Sequence, residues 1–259
     1  MNNVQNVPII NMSRINKSFG GVQALKDVDM DLFSGEVLSI VGDNGAGKST
    51  LIKILSGAYS ADSGDIFYRN RKVKITNTKD SRNLGIETIY QHLALADNLN
   101  LYQNIFLGRE IKRKGLLGKI GALDSMAMIS EGLKLIEEFG IKIPDPEQKV
   151  CFLSGGQRQI VSISRAIYFK AEVIIMDEPT AALGVAETKK VYEFINALKS
   201  KGISIIMISH NVNEVYDIAD RCMVMKMGSV VGVKKKSETS TDEIIQMIIS
   251  GKTNKEVAK

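Results

Sequence analysis

The chain has 259 residues, of which 44% are hydrophobic and 24% charged, with a formal net charge of +5. These are ordinary globular values that can build a buried core, and no apolar run approaches the ~20 residues needed to cross a bilayer. The start of the chain lacks the basic-then-apolar pattern of a signal peptide, and Cys151 and Cys222 lie far apart without metal-ligand spacing, so both read as reduced buried thiols of a cytoplasmic protein.

The positive charges are scattered. Two short clusters, Lys112-Arg113-Lys114 and Lys234-Lys235-Lys236, read as solvated loop ends, because three charges fall short of a lipid-binding cluster. Residues 9–17 form an expected first strand with polar interruptions. Ser18-Phe19-Gly20-Gly21 reads as a turn and residues 22–33 as further strand. Phe19 either packs under that turn or offers its face to an adenine ring, since stacking on an aromatic tolerates any base.

An apolar strand at 37–41 runs into Gly42-Asp43-Asn44-Gly45-Ala46-Gly47-Lys48-Ser49-Thr50, and an apolar-periodic helix at 50–55 runs out of it. A glycine, four residues, then Gly-Lys-Ser between a strand and a helix is the P-loop pattern. The glycines let backbone N–H groups turn towards phosphate oxygens, and the helix N-terminus adds positive dipole at the same place. Lys48 is placed to bridge the outer phosphates, and the Ser49 hydroxyl to ligate Mg²⁺.

Residues 64–75 suggest a hairpin arm turning at Arg69-Asn70-Arg71, and residues 85–90 a short strand ending at Gln91. From 98 to 151 the pattern turns helical. Met126, Ile129, Leu133 and Ile136 make an apolar stripe, with Asp124 as its cap and Gly140 as its stop, before Pro144 and Pro146 break the chain. Leu153-Ser154-Gly155-Gly156-Gln157 follows. Ser154 is placed to cap a helix through Phe169 with an apolar face of Ile160, Ile163 and Ile167, and the two glycines there make a second anion site.

Residues 172–176 are a buried strand ending in Asp177-Glu178, at the strand end where α/β sheets bind ligands. Asp177 is positioned as a partner of Mg²⁺ and Glu178 as general base towards an attacking water. After a loop at 179–184 comes a helix with Val191, Phe194, Ile195 and Leu198 inside, stopping at Gly202. Residues 203–208 are another buried strand, ending in Ser209-His210. His210 is expected on the same sheet edge as Asp177, near the γ-phosphate; His92 is given no role. A short helix (Val212, Val215, Ile218), a hairpin turning at Gly228-Ser229 and a helix at 242–249 complete the chain. Met207, Met223, Met225 and Met227 read as core filler.

The P-loop, Gln91, residues 153–157, Met176-Asp177-Glu178-Pro179-Thr180 and His210 occur in the order seen in ABC transporter ATPase domains, a resemblance covering nearly the whole chain. It implies an α/β P-loop NTPase core with a mainly parallel central sheet, an antiparallel β arm and a helical insertion. A single domain spans 1–259, with 1–97 and 152–259 as nucleotide-binding core and about 98–151 as the insertion. It implies ATP and Mg²⁺ as ligands, with Ser49, Gln91 and Asp177 towards the metal and Lys48, Gln91, Glu178 and His210 as catalytic groups. Phe19 would meet the base, and residues 42–50 the phosphates. Ser154, Gly155, Gly156 and Gln157 would close the site from a second copy of the chain.

Asn104-Ile105-Phe106-Leu107-Gly108-Arg109-Glu110 and Glu178-Pro179-Thr180-Ala181-Ala182-Leu183 look like the ATPases of bacterial sugar importers of the ribose, xylose and fructose group. Many of those fuse two ATPase domains; this chain has one and is expected to pair with itself. The expected partners are an integral membrane permease, docked by the helical insertion, and indirectly an extracytoplasmic solute-binding protein. No nucleic acid is expected, and the place of action is the cytoplasmic face of the membrane. Gly184 stands where many family members have an Asp, so an Asp contact across the dimer does not carry over. The rival readings are a soluble ABC ATPase of DNA repair or translation, which usually has a coiled coil or second ATPase domain, and an exporter ATPase, commonly fused to membrane helices.

Overall fold

The computed structural model describes residues 7–138, 145–181 and 183–253. In chain order, β1 (Ile10–Phe19) and β2 (Val22–Leu32) lead to β3 (Val37–Val41), α1 (Lys48–Leu55), β4 (Ser63–Tyr68), β5 (Arg71–Val73), α2 (Thr78–Asn83) and β6 (Ile86–Ile89). A helical run follows: α3 (Leu101–Phe106), α4 (Leu116–Lys119), α5 (Ser125–Glu137) and α6 (Gly155–Tyr168). The chain then alternates through β7 (Val173–Asp177), α7 (Val185–Ser200), β8 (Ser204–Ile208) and α8 (Val212–Tyr216). It closes with β9 (Arg221–Lys226), β10 (Ser229–Lys235) and α9 (Thr241–Ser250).

The strands form two sheets. An antiparallel sheet runs β2-β1-β4-β5, and a second runs β10-β9-β3-β8-β7-β6, parallel from β9 through β7 and edged by antiparallel β10. Burial explains the parallel part: every residue of β3 and β8 is inside, as are the first four of β7. Strands β3, β7 and β8 point the same way, so residues 42, 178 and 209–210 follow their C-terminal ends at one edge of the sheet. Leu38, Ile40, Leu51, Ile175, Ile206 and Met223 share one apolar core there with Met12 and Val28 of the antiparallel sheet.

The chain falls into two compact units. One comprises the chain up to Thr88, Glu172–Pro179, and everything from Lys199 on; the other comprises Ile89–Ala171 and Thr180–Leu198. In the second, α3, α5 and α6 pack around Leu101, Ile105, Phe106, Met128, Ile136 and Val161. Asn104, fully buried, ties down the preceding loop: its side-chain oxygen accepts from the Ala96 N–H at 2.8 Å and its amide donates to the Ala96 carbonyl at 3.1 Å.

Several sequence expectations need correction. β1 continues through Ser18 and Phe19, and only Gly20-Gly21 turns, because Phe19 still pairs with Val22. The polar interruptions of β1 are bulges: pairing shifts between Met12 and Ile15, with Arg14 and Asp27 at positive φ of 48° and 45°. A bulge lets Met12, Ile15 and Val28 all stay inside despite the polar residues between them. The buried face of α5 is rotated from the expected stripe. Met126 is 76% exposed, and Met128, Gly132 and Ile136 face inward. A Cβ on Gly132 would stand 3.4 Å from the Phe106 ring, an ordinary contact distance, so α5 lies close against α3 at that point.

Met227 is 84% exposed because it occupies the β9–β10 turn with φ 46°, one residue earlier than expected; the other three methionines are core. Cys222 is buried but Cys151 is exposed. Lys234, Lys235 and Lys236 are partnered rather than loose loop ends: with Glu243 at 2.8 Å, Glu238 at 3.2 Å and the Asp217 carbonyl at 2.7 Å. Asp124 caps α5, accepting from the Ala127 N–H at 3.1 Å. The expected stop at Gly140 and the break at Pro144 lie outside the described residues.

Candidate active site

The loop between β3 and α1 is shaped by what surrounds it. Gly42 has φ 149°, and a Cβ there would stand 2.1 Å from the Met225 carbonyl oxygen of β9. Gly47 has φ 101°, and its Cβ would stand 2.8 Å from the Ala24 carbonyl of β2. The turn after β9 braces the same loop: Gly228 donates its N–H to the Ala46 carbonyl at 3.0 Å and accepts from Lys26 N–H at 2.8 Å. These contacts demand glycine by space as well as by torsion.

Gly47 is the N-cap of α1 and makes no side-chain cap bond, so the first-turn N–H groups have no intrahelical or capping acceptor. They face an open cleft of about 340 Å³ lined by Gln23, Ala24, residues 44–50 and Glu178. Unsatisfied donors at the positive end of a helix, with a lysine among them, favour an anion of several oxygens.

Lys48 is 7% exposed, and its ammonium is parked on the loop itself, donating to the Gly42 carbonyl at 2.6 Å and the Asp43 carbonyl at 2.8 Å. Burial pushes its pKa below the usual lysine range, and Glu178, Asp43 and Asp177 pull it back up. Asp177 behaves as the mirror case. Burial, then the neighbouring Glu178, raises its pKa above the carboxylate norm, and Lys53 and Lys48 lower it. A half-buried carboxylate so placed is an acceptor in search of positive charge.

Glu178 leaves β7 in the left-handed region, at φ 50°, while its N–H still donates to the Ile208 carbonyl at 2.9 Å. The last rung of the β7–β8 ladder therefore holds, and the strained residue turns its side chain out of the sheet into the cleft. Its Oε1 lies 2.8 Å from Nδ1 of His210, which follows β8. Lys48, Ser49, Thr50, Glu178 and His210 are thus assembled at one sheet edge, with Asp177 in electrostatic contact.

Phe19 is not part of the cleft lining. Its ring is 43% exposed, edge-on to Tyr59 with centroids 5.2 Å apart, with Lys17 Nζ 5.4 Å from its centre. Tyr59 carries no sequence signal for that pairing. Gln91, exposed just after β6, and residues 154–157 belong to the second unit. Ser154 and Gln157 form a reciprocal cap of α6: Ser154 N–H donates to Gln157 Oε1 at 2.9 Å, and Gln157 N–H to Ser154 Oγ at 3.4 Å. Glu187 of α7 stands beside the two glycines of this turn: its Cβ is 3.1 Å from where a Cβ of Gly156 would stand. The sequence reading missed Glu187; a glutamate on the third residue of a helix beginning after Gly184 was the available signal.

Residues 25–181 match the sequence family described as ABC transporter. The chain belongs to the ABC transporter family. Its P-loop cassette is an ATPase fold of that family, and the xylose/arabinose import ATP-binding protein XylG of Sulfolobus acidocaldarius is 47% identical over 95% of this chain and 97% of its own length. The fructose import ATP-binding protein FrcA of Rhizobium meliloti is 42% identical over 93% of this chain and 94% of its own. The ribose import ATP-binding protein RbsA of Clostridium tetani is 45% identical over 96% of this chain, which spans 48% of that relative's length. Among solved structures, a nucleotide-free ATP-binding cassette from an ABC transporter superposes with TM-score 0.79 at 26% identity, covering 94% of this chain and 95% of the other. A dimeric post-hydrolysis cassette bound to ADP and Pi shares the fold, with TM-score 0.70 over 88% of this chain and 98% of the other.

Proposed function

We propose that this ABC ATPase is the energy-supplying subunit of a solute importer, that its solute is a monosaccharide, and that it works with a separate membrane permease. The observation that carries the chemistry is the Glu178–His210 pair opening into the Lys48 cleft. Family membership supplies the nucleotide, and the full-length relatives named for xylose/arabinose and fructose import supply the solute class.

ATP phosphates would lie on the N–H groups of residues 44–50 with Lys48 swinging from its carbonyls to the outer phosphate oxygens. The residues present fit Mg²⁺: the exposed Ser49 hydroxyl and the raised-pKa Asp177 carboxyl are hard oxygen donors of the kind that ion takes. When bound, the ion neutralises charge across the phosphates. Gln91 is the third proposed ligand. Glu178 would accept the proton of the attacking water, with His210 fixing the carboxylate. Residues 154–157 of a second copy would close the site.

Phe19 would take the adenine on its exposed ring face. Phe19→Ala is expected to raise the Kd for ATP by about 5- to 150-fold, the equivalent of the ~1–3 kcal/mol of a base–aromatic stack. Turnover at saturating ATP should stay near the parent value, because stacking is equal in ground and transition states. An unaltered Kd in an equilibrium titration makes Phe19 a packing residue for Tyr59.

No described helix is long and apolar enough to cross a membrane; in this reading the permease supplies the membrane attachment. The second unit exposes Leu116 (77%), Ile120 (75%) and Met126 (76%) within one short stretch, beside Lys112, Arg113 and Lys114. We place the permease contact there. The test is co-expression with the permease followed by membrane sedimentation. The chain should pellet with membranes only when the permease is present. Leu116→Ser with Ile120→Ser should lower the pelleted fraction by about tenfold, the loss of a buried apolar hot spot, while ATPase activity of the free subunit is unchanged. Equal pelleting with and without permease would count against the importer reading.

A further inference from the structure

Phe19 ends β1 beside Gly20-Gly21, and neither glycine has anything within 4 Å of where a Cβ would stand. A turn so open and so permissive leaves the strand end free to swing. The loop after α1 takes that freedom away. Asp62 grips three successive residues of β1: its N–H donates to the Asn16 carbonyl at 2.9 Å, its Oδ1 lies 2.6 Å from Lys17 Nζ, and its Oδ2 accepts from the Ser18 N–H at 2.7 Å. Three residues earlier in the same loop, Tyr59 meets the Phe19 ring edge-to-face, with centroids 5.2 Å apart. Tyr59 is itself anchored to α1. Its N–H donates to the Lys53 carbonyl at 2.9 Å, and Lys53 Nζ lies 5.3 Å from the centre of its ring. Across the glycine turn Phe19 pairs with Val22, which is 69% exposed and lines the cleft of residues 44–50.

We propose that Tyr59 is a positioning residue for the nucleotide base, holding the Phe19 ring in the plane that stacks on adenine. The inference rests on the reading of Phe19 as the adenine platform. A ring that turns freely must give up its rotamer freedom each time a base binds, and that cost comes off the affinity. Edge-to-face pairing favours particular orientations of the two rings, so Tyr59 sets the plane of Phe19 before the base arrives. Asp62 keeps the two rings within reach of each other. Tyr59 acts through Phe19 and not by touching the nucleotide. It also hangs from the helix whose first residue is Lys48. One element therefore sets the spacing between the loop that receives the phosphates and the platform that receives the base.

The test is equilibrium titration of the full chain with ATP and with inorganic tripolyphosphate, which offers the phosphates without the base. Tyr59→Ala should raise the Kd for ATP by about 2- to 12-fold, the worth of one edge-to-face ring pair, and leave the Kd for tripolyphosphate at the parent value. Tyr59→Phe, which keeps the ring, should restore ATP binding. In the Phe19→Ala background, Tyr59→Ala should cost nothing more, because its effect passes through the ring already removed. Four results overturn the proposal while leaving Phe19 as the platform: no change in the ATP Kd of Tyr59→Ala, an equal loss for ATP and tripolyphosphate, no rescue by Tyr59→Phe, or a further loss on top of Phe19→Ala. If Phe19→Ala itself binds ATP as tightly as the parent, the platform fails and the positioning role with it.

Discussion

Glu178→Gln is expected to bind ATP as tightly as the parent and to lose turnover by about 10²- to 10⁴-fold, the usual contribution of a general base. The expectation follows from where the side chain stands. It is 22% exposed, opens into the cleft of residues 44–50, and is held by Nδ1 of His210 at 2.8 Å. Glutamine tolerates the same left-handed backbone no worse than glutamate and still bonds the imidazole, so the cleft should keep its shape. What it loses is the capacity to take a proton. The loss should therefore fall on kcat and kcat/KM together, with the Kd of ATP unmoved. Single-turnover hydrolysis beside an equilibrium titration separates the two. Turnover at the parent rate would remove Glu178 from the chemistry.

The part of this site on one sheet edge was legible because its signals are local. A run of buried residues ends in a chemically loaded turn three times over, at Val41-Gly42, Asp177-Glu178 and Ser209-His210. Parallel strands of similar length bring such ends together without any long-range information. The helix caps at Ser154 and Asp124 were legible for the same reason, since a cap is written within four residues.

What the sequence left unread depends on partners distant along the chain. The face of α5 is the plainest case. Met126 and Met128 are equally apolar, and both complete a three-and-four spacing with Ile136's neighbours. Packing against α3, where Gly132 lies close to the Phe106 ring, selects between them. The bulges of β1 and β2 looked like interrupted strand because alternation fails by one residue at each. Only the pairing shows that the register slips and recovers. Tyr59 behind Phe19, Met225 behind Gly42 and Glu187 over Gly156 are contacts between separate elements, and each modifies a site residue that the sequence did announce. Cys151 and Met227 carry the lesson for composition: both types are usually buried, and both stand here in exposed turns.

The second large effect concerns the proposed sharing of one ATP between the P-loop of one copy and residues 154–157 of another. Both are glycine-bearing helix starts with donors suited to phosphate, and they belong to different units of the chain. Lys48→Ala removes the phosphate-bridging ammonium, and Ser154→Arg puts bulk and charge on the opposite donor turn. Each protein alone should be inactive, because every site in its dimer carries the lesion. In a mixture, a dimer of one of each has one site with both lesions and one with neither. Random pairing makes half of the dimers mixed, each with one intact site in two, so hydrolysis should return to roughly a quarter of the parent rate if single sites fire. The most direct measurement is ATP-dependent dimerisation of that mixture at equal concentrations, against each protein alone. Dimers that form with ATP in the mixture and in neither parent are the predicted result; a mixture that dimerises no better than its parents contradicts the shared site.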